Sequence, residues 1–447
     1  MQRRGRFLDG STMGHVARMT LTGAMGITFV FLVDLANLFW LSQIGEPILI
    51  AAIGFAFAIQ FFTVQIGVGL MIAATAVISR RIGMDDPERA RHEATASAVL
   101  SVLAQTIVTV LVVVFRVPLL ELVGATGETL ALASRYLLIS MPSLIIMAAG
   151  MAGQGALRAE GEGRRSMYVT LTSGAVAMMA DPFLILGLEL GLDGAAWGVV
   201  LSRVVMVVQA LRFAIIRHDL FAPPALWAVR RAALPFVAVA LPAILTQMAA
   251  PFGNYLLTGV IAGFGDAAVA AWAVVNRVTV VAFGGIFSLS GAIGGIFGQN
   301  YGARLHDRLR MTYRDAMMFC AAYTFTAWML LLVSMEYVID GFGLPPDGAE
   351  VYKAFARIGA GSFIFIGAFF VSNAAFNNLG KPGRSTLVNW LRDGVLILPA
   401  AWWLADLAGA PGVVYAQALV GGVMGIVSAL WGWWFLRRFD APPAQGA

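Results

Sequence analysis

Charge is scarce in this sequence. Only 12% of its 447 residues are Asp, Glu, Lys or Arg, where soluble domains approach a quarter. Together with 59% apolar residues and a mean hydropathy of +0.81, this excludes an ordinary soluble globule. Cysteine is nearly absent: Cys320 stands alone, so no disulfide framework exists and the redox compartment is left open. The four histidines (His15, His92, His218, His306) are dispersed at membrane edges or in loops. They lack metal-ligand spacing and read as solvated surface groups, so no metal site is expected. No phosphate-binding P-loop and no Ser or Cys nucleophile constellation is present, which argues against an enzyme and against a nucleotide or other cofactor.

What is present is apolar sequence in long runs. Twelve are recognisable, near 17–42, 48–79, 93–115, 129–156, 166–190, 194–217, 234–262, 266–299, 311–335, 353–379, 385–408 and 411–436. Each can cross a ~30 Å hydrocarbon core as a helix. The second and eighth are longer than a bilayer needs and predict tilt or bending. Strict polar alternation is missing and Ala, Leu, Met and Gly abound, so membrane strands are a poor reading. The expected fold is an all-α polytopic membrane protein with twelve transmembrane helices. The first run is too long for a signal peptide and no small-residue cleavage pattern follows it.

The net charge of +5 is a topology signal. Arg3, Arg4, Arg6 and Arg18 precede the first run; Arg80, Arg81, Arg89 and Arg91 follow the second. Basic residues likewise cluster after the fourth, sixth, eighth, tenth and twelfth runs, while the alternate loops hold mostly acids such as Glu46, Asp193, Asp266 and Asp347. The positive-inside rule then puts both termini and the central loop in the cytoplasm. Nucleic acid is not an expected partner; the lipid bilayer is. Heavy use of Arg over Lys and the absence of organelle targeting suggest a bacterial inner membrane, and a monomer is expected.

The sequence also repeats itself. Gly83 and Gly302 end corresponding apolar runs 219 residues apart (302 − 83), and Gly161-Glu-Gly-Arg-Arg-Ser166 recurs as Gly380-Lys-Pro-Gly-Arg-Ser385 at the same offset (380 − 161). A constant offset marks two copies of one structural unit. The expected domains are an N-lobe over 1–222 and a C-lobe over 223–447, two pseudo-symmetric six-helix bundles joined by the charged, Pro-containing loop around Arg217–Arg231. Six helices per copy make the repeats parallel, as in secondary transporters. No filter-like loop interrupts the runs, which favours a transporter over a channel.

Ionisable groups inside a membrane are functional candidates by default. Asp34 and Asp181 lie 16 residues beyond Arg18 and Arg165 respectively (34 − 18 and 181 − 165), hence both about 24 Å from the cytoplasmic edge at 1.5 Å per residue. Both belong to the first copy and could bind and release a proton as a pair. Pro182 removes a donor beside Asp181 and predicts a kink there. A second reading of Asp181 is structural: Arg203 lies at matching depth in a hairpin, and Asp181–Arg203 could be a static ion pair. The positions equivalent to the two acids, Gly253 and Ala400, carry no charge, and Asp393, next to Arg392, reads as structural. Asn37, Trp40, Gln60, Gln65, Met178, Asn254, Arg277 and Asn373 are candidates for a polar and adaptable substrate cavity.

Local patterns add a resemblance. Val33-Asp34 followed by Gly45-Glu-Pro-Ile-Leu-Ile-Ala-Ala-Ile-Gly54, Gly67-Val-Gly69 leading into Ser79-Arg-Arg-Ile-Gly83, Asp181-Pro-Phe-Leu-Ile-Leu-Gly187 ahead of Gly194-Ala-Ala-Trp-Gly198, and Leu241-Pro-Ala-Ile-Leu-Thr-Gln247 together resemble the multidrug and toxic compound extrusion (MATE) family, on its DinF-like side. The likeness covers nearly the whole chain. It implies a V-shaped pair of six-helix lobes that export amphiphilic, often cationic small molecules by alternating access, in exchange for H⁺ or Na⁺. The aspartates matching Asp34 and Asp181 form the cation site in such members. Na⁺-using members add an Asn and a Thr, whose places are taken here by Ala177 and about Val199. A hard cation wants about six oxygens, so H⁺ is favoured. The second-lobe carboxylate of the NorM-like branch falls at Ala250, so no coupling site is expected there. The alternative within the superfamily is a flippase for lipid-linked oligosaccharides or cell-wall precursors. It would need several cations deep in the cavity, where only Arg203 and Arg277 qualify.

Overall fold

A computed structural model describes residues 5–440, so Arg3 and Arg4 of the first basic cluster lie outside the described residues. Its regular structure is helical throughout. Among the described residues, nine helical stretches are long and apolar enough to cross a membrane, and two further spans are bent helix pairs. The bent pairs are Gly127–Ser140 with Ser143–Glu160, at 48°, and Pro346–Gly359 with Phe363–Asn378, at 61°. The eleventh of the twelve expected spans runs through Pro382–Trp390, Leu391–Leu396 and Ile397–Ala408 without a break, with Arg392 and Asp393 in its interior. This is the twelve-helix, all-α membrane fold that the apolar runs predict.

The duplication is written into the element boundaries. Helices begin at Pro47 and Asp266, Pro87 and His306, Gly127 and Pro346, Gly163 and Pro382, and Gly191 and Ala410, each pair 219 apart. Two short helices not anticipated from the sequence, Arg116–Leu122 and Met335–Gly341, keep the same offset. Several starts carry the expected chemistry. Pro87, Pro346 and Pro382 occupy the first helical turn, where their fixed φ suits the helix and no amide is missed. Asp86 caps the third span by accepting from Arg89 N at 3.2 Å. The repeated Gly161 and Gly380 both adopt positive φ (95° and 85°), the left-handed turn that ends each bent span at no side-chain cost.

Packing divides the chain into two compact units. One contains the chain up to Met25, Ile82–Asp85 and everything from Leu245; the other contains Gly26–Arg81 and Asp86–Ile244. The first part of the first span thus packs with the second repeat. The central loop and the first part of the seventh span (Leu226–Ala262) pack with the first repeat. The larger core includes Trp272, Tyr352 and the stacked rings of Phe283 and Phe363, 4.0 Å between centroids. The other gathers Leu41, Ile53, Leu137 and Leu144. The outer surface is apolar: Ile107, Leu234, Leu330 and Val333 are all more than 60% exposed. Hydrocarbon around such side chains removes any penalty for showing them.

The central loop is tied down rather than free. Arg91 pairs with Asp219 at 2.8 Å and donates to Phe221 O at 3.2 Å, and Thr95 Oγ1 donates to Ala222 O at 2.7 Å. His218, expected on a solvated surface, is instead buried with Nδ1 2.5 Å from Glu160 Oε2. The loop folds back over the turn between the fourth and fifth spans, which the sequence alone does not reveal.

Candidate functional site

Asp34 lies in the first span (Thr12–Ser42), half-buried, and Asn37 follows it by one turn. Residues three apart share a helix face, and on that face Asn37 Nδ2 donates to Asp181 Oδ2 at 2.9 Å. Asp181 is 1% exposed. Its other oxygen, Oδ1, is buried and has no hydrogen-bond partner among the described residues. Gly198 of the sixth span makes room for that oxygen, since a Cβ there would stand 2.0 Å from it. Asn37 thus brings the helix face that carries Asp34 against Asp181.

Pro182 does not produce the expected kink in simple form. The helix Gly163–Pro182 passes into a π-helical turn, Phe183–Gly187, closed by Leu188 N to Phe183 O at 2.8 Å. The turn begins directly after the proline, and such turns gather at functional sites.

The proposed Asp181–Arg203 ion pair is not formed. Arg203 is buried, and its Nη1 donates to Ser140 O and to Ser143 Oγ, both at 2.8 Å, while Nη2 reaches Gln60 Oε1 at 3.5 Å. The helix Gly127–Ser140 ends there, and free terminal carbonyls with the negative end of a helix dipole attract a guanidinium. Gln60 is therefore not a free cavity residue: its Nε2 also donates to Ser140 Oγ at 2.5 Å. Ser140 and Ser143 were missed from sequence because serine in an apolar helix usually bonds its own backbone. The one signal available was their place at the bend flanking Pro142.

The other candidates separate by unit. Trp40 packs edge-on to Phe39 at 5.1 Å beside the smaller core. Gln65 is half-buried, and Met178, one turn before Asp181, is 37% exposed. Asn254, Arg277 and Asn373 belong to the other unit, where Asn254 and Arg277 are exposed and Asn373 is buried with Oδ1 unpartnered. In that unit Gly253, the repeat equivalent of Asp34, packs against Asp393. The Asp393 carboxylate is already neutralised, since Arg392 binds both oxygens at 2.8 and 2.7 Å. Asp393 of the second repeat thus has a bonded cation, whereas among the described residues Asp34 and Asp181 have none.

A duplicated twelve-helix membrane fold with unneutralised acids inside one repeat defines a polytopic membrane transporter. The chain belongs to the MatE family, whose model matches residues 24–183 and 242–403. Among curated relatives, the FAD transporter of Shewanella oneidensis is 24% identical over 417 residues, covering 91% of each chain. The multidrug export protein MepA of Staphylococcus aureus is 21% identical over 410 residues, covering 91% of this chain and 90% of that one. An outward-facing multidrug resistance MATE family transporter of the MOP superfamily superimposes with a TM-score of 0.91 at 23% identity, covering 98% of this chain and 99% of its own. The Vibrio cholerae MATE transporter VcmN, in a mutant form, gives 0.90 at 23% identity, covering 96% and 98%.

Proposed function

We propose that this protein is a cation-coupled exporter of amphiphilic, often cationic small molecules, working as a monomer by alternating access in a bacterial inner membrane with both termini cytoplasmic. Asp34 and Asp181 are the coupling pair. The observation that carries this reading is the Asp181 carboxylate: buried, bonded by Asn37 at one oxygen, and unpartnered at the other. An anion in that condition is costly in a membrane and is relieved by a bound cation.

The proton is the favoured ion. Ala177 and Val199 contribute no side-chain oxygen, and Gly198 abuts Asp181 Oδ1 with backbone alone. Six oxygens for a hard cation are difficult to assemble from this set, whereas a proton needs one. The flippase alternative is weakened, because Arg203 is engaged with Ser140 and Ser143. The resemblance to a protein named as an FAD transporter adds one anionic dinucleotide to the cargo worth testing.

The test is transport in proteoliposomes under a pH gradient or a Na⁺ gradient imposed separately, with ethidium and FAD as cargo. Movement of ethidium driven by the pH gradient and lost in Asp34→Asn supports the reading. Movement driven by Na⁺ alone overturns the ion. Failure of ethidium under both gradients, with FAD carried, overturns the cargo.

A further inference from the structure

The bend in the fourth span leaves a carbonyl without its amide. Leu144 N turns to Met141 O and Ile145 N to Pro142 O. Ser140 O, which a regular helix would give to Leu144, accepts from Arg203 Nη1 at 2.8 Å and from Ser143 Oγ at 2.6 Å. Holding such a bend does not require a charge. At the matching bend of the tenth span the equivalent carbonyl, Gly359 O, accepts from neutral donors, Ser362 Oγ at 2.7 Å and Ser362 N at 3.2 Å. The first repeat therefore adds a guanidinium at a bend whose copy carries Gly422 at the position equivalent to Arg203.

That guanidinium is buried, and its hydrogen-bond partners among the described residues (Ser140, Ser143, Gln60) are all neutral. The ionisable groups around this cluster are Tyr136, one turn before Ser140 on the fourth span, and Asp34, one turn before the Asn37 that bonds Asp181. Asp181 in turn lies against Gly198, five residues before Arg203 on the same helix. A buried cation with neutral partners and an anion in electrostatic range has two resting places.

We propose that Arg203 is a positioning residue that transmits the charge of Asp34 and Asp181 to the bend at Met141–Pro142. With a proton or other cation on the acidic pair, nothing competes for the guanidinium and it rests on Ser140 O. With the pair ionised, Asp34 draws it away, Ser140 O loses its charged donor, and the two halves of the fourth span are released to change their angle. This inference rests on the reading of Asp34 and Asp181 as the coupling site.

The experiment is hydrogen–deuterium exchange on the full-length protein in lipid nanodiscs at acidic and alkaline pH, corrected for the intrinsic pH effect on exchange. In the native protein, exchange over residues 141–147 should rise several-fold at alkaline pH. In Arg203→Gln that dependence should vanish, while residues 31–40 and 177–186 keep theirs; Arg203→Lys should retain part of it. A bend that still responds in Arg203→Gln, or that never responds while the acidic segments do, overturns the proposal. Absence of any response to pH or Na⁺ at the acidic segments overturns the coupling-site reading, and the proposal with it. If Arg203→Gln does not fold, Ser143→Ala serves. It should bring exchange at acidic pH toward the alkaline level, and an unchanged bend overturns the proposal.

Discussion

Asn37 holds Asp181 by a single hydrogen bond of 2.9 Å, one helical turn past Asp34 on the same face. The amide thus connects the two helices that carry the acids, and it offers a carbonyl oxygen as well as a donor. Replacing it by Leu would leave the buried carboxylate with no bonded oxygen. A hydrogen bond to a charged group is worth roughly 1.5–3 kcal/mol, and about 1.4 kcal/mol is a factor of ten. Asn37→Leu should lower gradient-driven transport by about one order of magnitude or more, measured as initial rate in proteoliposomes.

Gly198→Ala should be at least as damaging for a different reason. The added methyl would stand 2.0 Å from Asp181 Oδ1, so the carboxylate or a helix must move. Overpacking of this kind costs about 1–3 kcal/mol. The expected result is a folded protein with a lowered melting temperature and little cation-driven transport; native rates with native melting would contradict the geometry.

The acids of the two repeats should respond in opposite ways to loss of charge. Arg392→Ala strands the buried Asp393, and breaking a buried pair costs roughly 3–5 kcal/mol. Asp34→Asn removes a charge that has no bonded cation, so its melting temperature should match or exceed the native one while transport is lost. Thermal unfolding in detergent, read beside transport, separates the acid held by Arg392 from the proposed coupling acid.

The central loop gives a fourth test. Arg91 anchors it through Asp219 and Phe221 O, and Arg91→Ala removes both contacts. Cleavage by trypsin after Arg217 should accelerate several-fold in that variant without a change in melting temperature. Unchanged cleavage would mean that Thr95 and Glu160 suffice to hold the loop.

Length, repetition and the location of Asp34 and Asp181 were legible because they depend on periods and on charge in apolar surroundings. The 219-residue offset predicts the boundaries of elements as far apart as Pro47 and Ala410. Side-chain direction was not legible. Arg203 and Asp181 lie at matching depth, but depth says nothing about which way a helix face points, and Arg203 faces the fourth span. Gln60 is polar in an apolar run, yet its polarity is used up by Ser140 and Arg203. The burial of His218 depends on a loop folding back on Glu160, and local sequence does not encode that return path. Nor did sequence anticipate that Gly253 would meet Asp393, since that contact joins the seventh and eleventh spans.

The π-helical turn at Phe183–Gly187 carries one residue more than an α-helix would fit into the same length. A surplus of this kind can be handed along a helix, and each residue passed rotates the stretch it crosses by about 100°. Asp181 sits at the border of the surplus. Handing it one turn toward Gly163 would swing the carboxylate off Gly198 and away from Asn37 while both ends of the span stay in place. The acid can thus be presented to a different neighbourhood by a local twist, with no hinge in the span and no shift of its anchors.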